Sequence, residues 1–169
     1  MTVVDWMNNS LNKTENFLAT IAGILIIFSM VSVVLEVIVR SFVGHSFVWI
    51  QEYNEYLLLY IPFLSGAWLL RKNDHVAINL IDNVIGKNSS RILTIFVAFL
   101  GIISMIVLVY YSTVVTLDIL ERGVKSTTVL RTPQVFVYIV IPIGSFIMLL
   151  EFLRIFIRAI YLQEDSLFD

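Results

Sequence analysis

The chain predicts an all-α integral membrane protein with four transmembrane helices, short interfacial amphipathic helices and both termini on the inner side of the membrane (N-in/C-in). Three observations carry this reading. Residues 17–35, 92–117 and 133–150 are uncharged runs of nineteen, twenty-six and eighteen residues, and a helix needs roughly 20 mostly apolar residues to cross a ~30 Å hydrocarbon core. A fourth run, 56–70, is fifteen residues long and is extended at its start by the mixed segment 47–55. Hydrophobic residues make up 59% of the chain, more than a water-soluble domain hides.

In chain order, residues 2–16 place Val4, Met7, Leu11 and Phe17 at broadly helical spacing beside Trp6. This segment reads either as an amphipathic lead-in lying in the interface or as a frayed terminus. The first span covers about 17–40. Its apolar run exceeds a signal-peptide core and no A-x-A cleavage site follows, so it reads as a retained helix. Gly44 in the linker 41–46 is a helix stop. Residues 47–56 mix apolar and acidic side chains in a pattern suited to a helix lying along, or entering from, the membrane surface. The second span, about 52–71, contains Pro62; in lipid, neighbouring helices re-satisfy the carbonyl a proline frees, so a kink is expected and not a break. Arg71 to His75 closes it, and 76–85 forms a short amphipathic stretch before a turn at 86–90. The third span, about 91–118, has an apolar run of roughly 39 Å at 1.5 Å per residue and must tilt or protrude. A polar link follows over 118–128, and Pro133 opens the fourth span, about 133–160. That helix carries Glu151, Arg154 and Arg158 on one face. The chain reads as one membrane domain over 1–169, with no internal repeat.

Orientation follows the basic flanks. With the N-terminus inside, inner segments hold Lys13, Arg71, Lys72, Lys87, Arg91, Arg154 and Arg158, while outer segments hold Arg40, Arg122, Lys125 and Arg131. Basic residues are retained on the inner side, so seven against four favours this arrangement.

Composition excludes several functions. With 11 basic and 13 acidic residues the net charge is -2, which lacks the basic excess of a nucleic-acid binder. The absence of cysteine removes disulfides, thiolate metal sites and thiol nucleophiles. No glycine-rich loop is built to cradle phosphate. Glu36 and Arg40 are four apart with the acid first, the favoured order for a pair on one helix, so a structural ion pair is preferred over a proton or cation site. Trp49, Glu52 and Glu55 form a second group. Two carboxylates one turn apart are a weak metal signal, and an interfacial helix with its acids toward water or a partner is preferred. His45 and His75 lie in linkers on opposite sides of the membrane, which opposes haem ligation. No cofactor and no catalytic residue is expected.

Glu36-x3-Arg40, Trp49-x2-Glu52, Gly66-Ala67 and Arg71-x3-His75-Val76, with Pro133 and Pro142-x-Gly144 later, resemble the signature of the small DctQ-type membrane subunit of tripartite ATP-independent periplasmic (TRAP) transporters. The resemblance spans nearly the whole chain and is greatest to the small subunits of sialic acid transporters. It implies a non-catalytic scaffold in a bacterial inner membrane. Its partners would be membrane lipids, a large sodium-coupled elevator-type subunit in stable complex, and a periplasmic binding protein that delivers an organic acid. It assigns structural or interface roles to Glu36, Arg40, Trp49, Glu52, Arg71 and His75. The alternatives are a self-sufficient four-helix proton-coupled exporter that uses Glu36, and a membrane cytochrome anchor.

Overall fold

A computed structural model describes residues 3–44, 47–85, 87–128 and 130–161; the side chains of 3–8, 43, 73–85, 87–91 and 161 lie outside the described set. The described chain is helical almost throughout: α1 (Val3–Val43), α2 (Val48–Ile85), α3 (Lys87–Arg122), α4 (Gln134–Tyr138) and α5 (Val140–Tyr161). Three helical stretches are long and apolar enough to cross a membrane: Asn9–Phe42, Ile92–Arg122 and Gln134–Ile160.

Expectation and structure differ at the amphipathic stretches. Residues 3–16 and 76–85 continue α1 and α2 and do not form separate interfacial helices. Neither junction holds a glycine or proline, and uninterrupted helix satisfies every backbone group without water. α1 is 41 residues long, roughly 60 Å at 1.5 Å per residue, so it projects well beyond a hydrocarbon core. α2 runs through Pro62 without a break. The apolar run 133–150 does break: α4 and α5 are separated at Ile139. Pro142 has no N–H for the Tyr138 carbonyl four residues earlier and its ring crowds that oxygen, which accounts for the interruption there.

Helix ends carry their own stop signals. Gly44, at φ +76°, donates its N–H to Arg40 O at 3.0 Å, the single-bond left-handed cap. Gly123, at φ +58°, donates to Leu120 O while Val124 donates to Ile119 O, both at 3.2 Å; this is the two-bond Schellman cap. α3 therefore outlasts its apolar run by one turn, closed by the Asp118–Arg122 pair at 2.8 Å. The α3–α4 link then folds back on itself. Lys125 and Pro133 pair as an antiparallel bridge, Ser126 N–H donates to Thr132 O, and Gln134 N–H donates to Val124 O.

α2 and α5 form the centre, α1 packs on α2, and α3 packs on α5. Glycine allows the closest approaches. A methyl group on Gly144 would lie 2.5 Å from the Phe63 carbonyl oxygen, and one on Gly101 would lie 2.4 Å from the Phe152 ring. Such small-residue contacts let helix backbones meet closely where no hydrophobic force drives association. Buried residues make up 22% of the most apolar window of Gln134–Ile160, against 6% in each of the flanking spans. α1 and α3 thus present most of their apolar surface outward, as lipid-facing helices do.

Gly144→Ala is expected to lower stability by about 1–3 kcal/mol, the typical cost of overpacking against an unyielding neighbour. Gly23→Ala, with nothing within 4 Å of the added methyl, should leave stability unchanged or raise it by up to ~1 kcal/mol through helix propensity. Thermal unfolding of both variants in detergent micelles checks the contrast.

Candidate functional site

Charged and polar side chains collect at two levels of the bundle. At one, α1 presents Asn12, Glu15 and Asn16 on a single face, because positions three and four apart meet on a helix. Arg71 of α2 donates from Nη1 to Asn12 Oδ1 at 2.8 Å and from Nη2 to Asn16 Oδ1. The same Nη1 lies 2.9 Å from Glu15 Oε2. Arg154 of α5 donates from Nη1 to the same Asn12 oxygen at 2.7 Å and pairs with Glu151 Oε2 at 3.4 Å.

Two guanidiniums on one amide oxygen repel each other, and Glu15 and Glu151 supply the compensating charges. The cluster is formally neutral and its two carboxylates are closed to solvent: Glu15 is 0% and Glu151 1% exposed. Among the described residues neither Glu15 oxygen has an aligned N–H donor, and Arg154 Nε is buried without a partner. Asn12 and Asn16 take the two aligned Arg71 donors, and Glu15, 2.9 Å from Nη1 but off the N–H direction, compensates the guanidinium as a charge.

At the other level, Glu52 is 3% exposed. It accepts hydrogen bonds from Tyr56 OH on its own helix at 2.6 Å, from the Thr128 hydroxyl, and from Leu130 N–H at 3.2 Å. Tyr60 OH donates to Phe136 O just beyond. One carboxylate thus fastens the folded α3–α4 link onto α2. Between the two levels, Asn54 of α2 receives hydrogen bonds from Ser29 Oγ at 2.6 Å and Ser32 Oγ at 3.2 Å, and donates from Nδ2 to Ile50 O at 2.8 Å. α1 and α2 are thereby tied antiparallel.

The residues expected from sequence fall into distinct places. Arg71 is 14% exposed and central to the first cluster. Glu52 was expected to face water or a partner with Glu55; it turns inward, because the folded link offers it three donors, while Glu55 stays exposed. Glu36 and Arg40 pair at 3.9 Å, with the arginine side chain 57% exposed, so the pair contributes little stability in that setting. Trp49 meets Tyr53 edge-on at 6.3 Å and lines a 210 Å³ apolar recess with Phe28, Val31 and Leu35 of α1. His75 lies on α2 with its side chain outside the described set, and His45 lies outside the described residues. Sequence reasoning missed Asn12, Glu15 and Asn16, and saw Glu151 without its role. The available signal was a polar and small-residue stripe along α1: Asn12, Glu15, Ala19, Ala22, Ser29 and Ser32, recurring at three, four and seven residues.

Arg71→Leu is expected to strand Glu15 and cost about 3–5 kcal/mol, the usual penalty for removing one partner of a buried pair. The double variant Arg71→Leu with Glu15→Leu should recover most of that loss, since no uncompensated charge remains. Thermal unfolding in detergent and folded yield measure both. A double variant no more stable than the single one would show that the cluster does not act through charge compensation.

The family model "Tripartite ATP-independent periplasmic transporters, DctQ component" matches residues 29–161. The ectoine TRAP transporter small permease protein TeaB of Halomonas elongata is 25% identical over 135 residues, covering 80% of this chain and 69% of that protein. No solved structure matches the chain. A match over most of the chain, on an all-α multi-pass membrane protein whose buried charges are structurally compensated, places it in the DctQ family, the small, non-catalytic permease component of TRAP transporters.

Proposed function

We propose that the chain is the scaffold subunit of a sodium-coupled TRAP importer in a bacterial inner membrane. In this reading it braces a large elevator-type subunit, while a periplasmic binding protein delivers the cargo. The carrying observation is that its interior charges serve as fastenings: Glu15 and Glu151 against Arg71 and Arg154, and Glu52 against three donors. A carrier carboxylate must be free to change partners during transport, whereas these hold neighbouring helices in register. The exporter alternative on Glu36 is disfavoured by Arg40 beside it. The outward apolar surfaces of α1 and α3 suit contact with lipid and with a larger partner.

In the same proposal α2 is a fourth span, giving the N-in/C-in arrangement. Asn54 lies against Ser29 and Ser32 while Arg71 lies against Asn12 and Asn16, so α2 follows α1 for seventeen residues, roughly 26 Å. That is most of a hydrocarbon core. Cargo is an organic solute. Sialic acid is the expectation from the sequence resemblance, and ectoine is the solute named for the Halomonas protein.

Topology is tested by labelling, which the absence of native cysteine makes clean. Ser126→Cys should react with an impermeant thiol reagent on intact cells, and Ser89→Cys only after the inner membrane is opened. The reverse pattern would overturn the assigned orientation.

The scaffold role is tested by purifying the complex through a tag on this chain and reconstituting it. A larger multi-span membrane protein should co-purify. Uptake of sialic acid and of ectoine, assayed in parallel against sodium concentration, should keep its sodium dependence in the Glu52→Gln/Glu55→Gln variant. A changed Hill slope at normal complex yield would place these carboxylates in ion coupling and sink the scaffold reading.

A further inference from the structure

On the outer side of the α1–α2 contact, at the level of Arg71, the two helices leave a groove of about 430 Å³. Its α1 wall is Ala19, Ala22, Gly23 and Ile26, small side chains that leave a slot; its α2 wall is Ser65 and Trp68. The neighbouring Ile24 and Ile27 are 61% and 65% exposed, so the groove opens onto the surface that faces hydrocarbon in a membrane. Asn16, Thr20 and Ser65 bring polar atoms to it, and Lys72, one turn beyond Trp68 on α2, holds its ammonium 5.8 Å from the centre of the Trp68 ring.

The hydrogen-bonding sense of this polar mouth is determined by chemistry. A guanidinium only donates, so Arg71 fixes the Asn16 amide with its oxygen inward and leaves the donor-only NH2 for the groove. Thr20 and Ser65 spend their hydroxyl protons on Asn16 O and Ile61 O, each at 2.8 Å, so the donor sense of the mouth comes from Asn16 and Lys72. Lys72 is a further donor and a full positive charge. A ligand complementary to this mouth brings acceptors and negative charge, and one complementary to the slot brings a narrow, flexible apolar chain. A helix can seat on small residues such as Ala19 and Gly23, but the ammonium of Lys72 beside Trp68 calls for a negative charge, which a helix backbone does not carry.

We propose that this groove binds one anionic phospholipid, its phosphate against Lys72 and the Asn16 amide and one acyl chain along Ala19, Ala22, Gly23 and Ile26. Trp68 would sit at headgroup level, where an indole is favoured, and its face would hold the Lys72 ammonium in place through a cation–π contact. Lys72 selects the charge of the headgroup and Gly23 leaves room for the chain. The proposal rests on the groove alone and is independent of the chain's part in transport.

The test is native mass spectrometry of the detergent-purified complex after delipidation and incubation with equal amounts of palmitoyl-oleoyl phosphatidylglycerol and phosphatidylethanolamine. The wild type should retain one lipid with an about five-fold preference for phosphatidylglycerol, the factor expected for one lysine at an anionic surface. Lys72→Gln, at an exposed position, should bring the two lipids to equal retention. Gly23→Leu has room for its Cβ, with nothing within 4 Å, and its longer side chain occupies the slot; it should lose the retained lipid while keeping the wild-type melting curve. A large excess of glycerol 1-phosphate should not displace the lipid; displacement would show that the mouth reads phosphate without the chain. Equal retention of both lipids by the wild type, or unchanged retention in Gly23→Leu, would overturn the proposal. So would a cysteine at position 23 cross-linking to a partner helix, which would assign the groove to protein.

Discussion

A guanidinium keeps its proton at any physiological pH and carries no acceptor of its own, so a chain that brings Arg71 to 14% exposure must build acceptors around it. Much of the bundle follows from that demand. Asn12, Glu15 and Asn16 meet it from α1, which sets the rotation of α1, because a slip of one residue would swing Glu15 by about 100° around the helix. Asn12 is then shared with Arg154, which brings α5 to the same level. Glu151 completes the charge balance from within α5. With α2 and α5 held side by side at this end, their backbones can approach at Phe63 and Gly144, a contact that depends on rotational register as much as on the absent side chain.

The architecture separates a fastened centre from an apolar periphery. α2 and α5 carry Arg71, Glu52, Glu151 and Arg154, and they meet along glycine contacts. α1 and α3 flank them with long rows of exposed aliphatic and aromatic side chains. In water this distribution would be unstable, but in lipid it leaves the driving force for helix association to close packing and polar contacts. Among the described residues the closest packing lies between α2 and α5 and between α3 and α5, and the polar contacts join that centre to α1 and to the α3–α4 link.

The helical class and the position of the apolar runs were legible because uncharged runs of eighteen to twenty-six residues have few other uses. Gly44 and Pro133 marked their boundaries correctly, and Arg71 was singled out. What remained hidden shares one cause. Glu15 precedes the apolar run and reads as a solvated flank residue, while its guanidinium partner is 56 positions away in the chain. Arg154 and Asn12 are separated by 142 residues. Glu52 looked like half of an acidic pair with Glu55, yet its partners Thr128 and Leu130 lie 76 and 78 residues downstream. Local pattern tells which groups are polar; only the packed helices tell which of them meet. The amphipathic ends were misread for a different reason, since hydropathy drops there although nothing in the backbone interrupts the helix.

Those separations also impose an order on biogenesis. A chain emerges from the ribosome N-terminus first, and Arg71 finds Glu15, Asn12 and Asn16 already made, so α1 and α2 can pair before the rest of the chain exists. Glu52 has no such advantage. Its downstream donors do not exist until the chain has reached Leu130, and until then only Tyr56 can solvate it from within the protein. The α3–α4 link is therefore a late-arriving clasp: once Thr128 and Leu130 close over the carboxylate, the second helical pair is joined to the first at that level, and the nascent protein exchanges a water-seeking acid for a satisfied one.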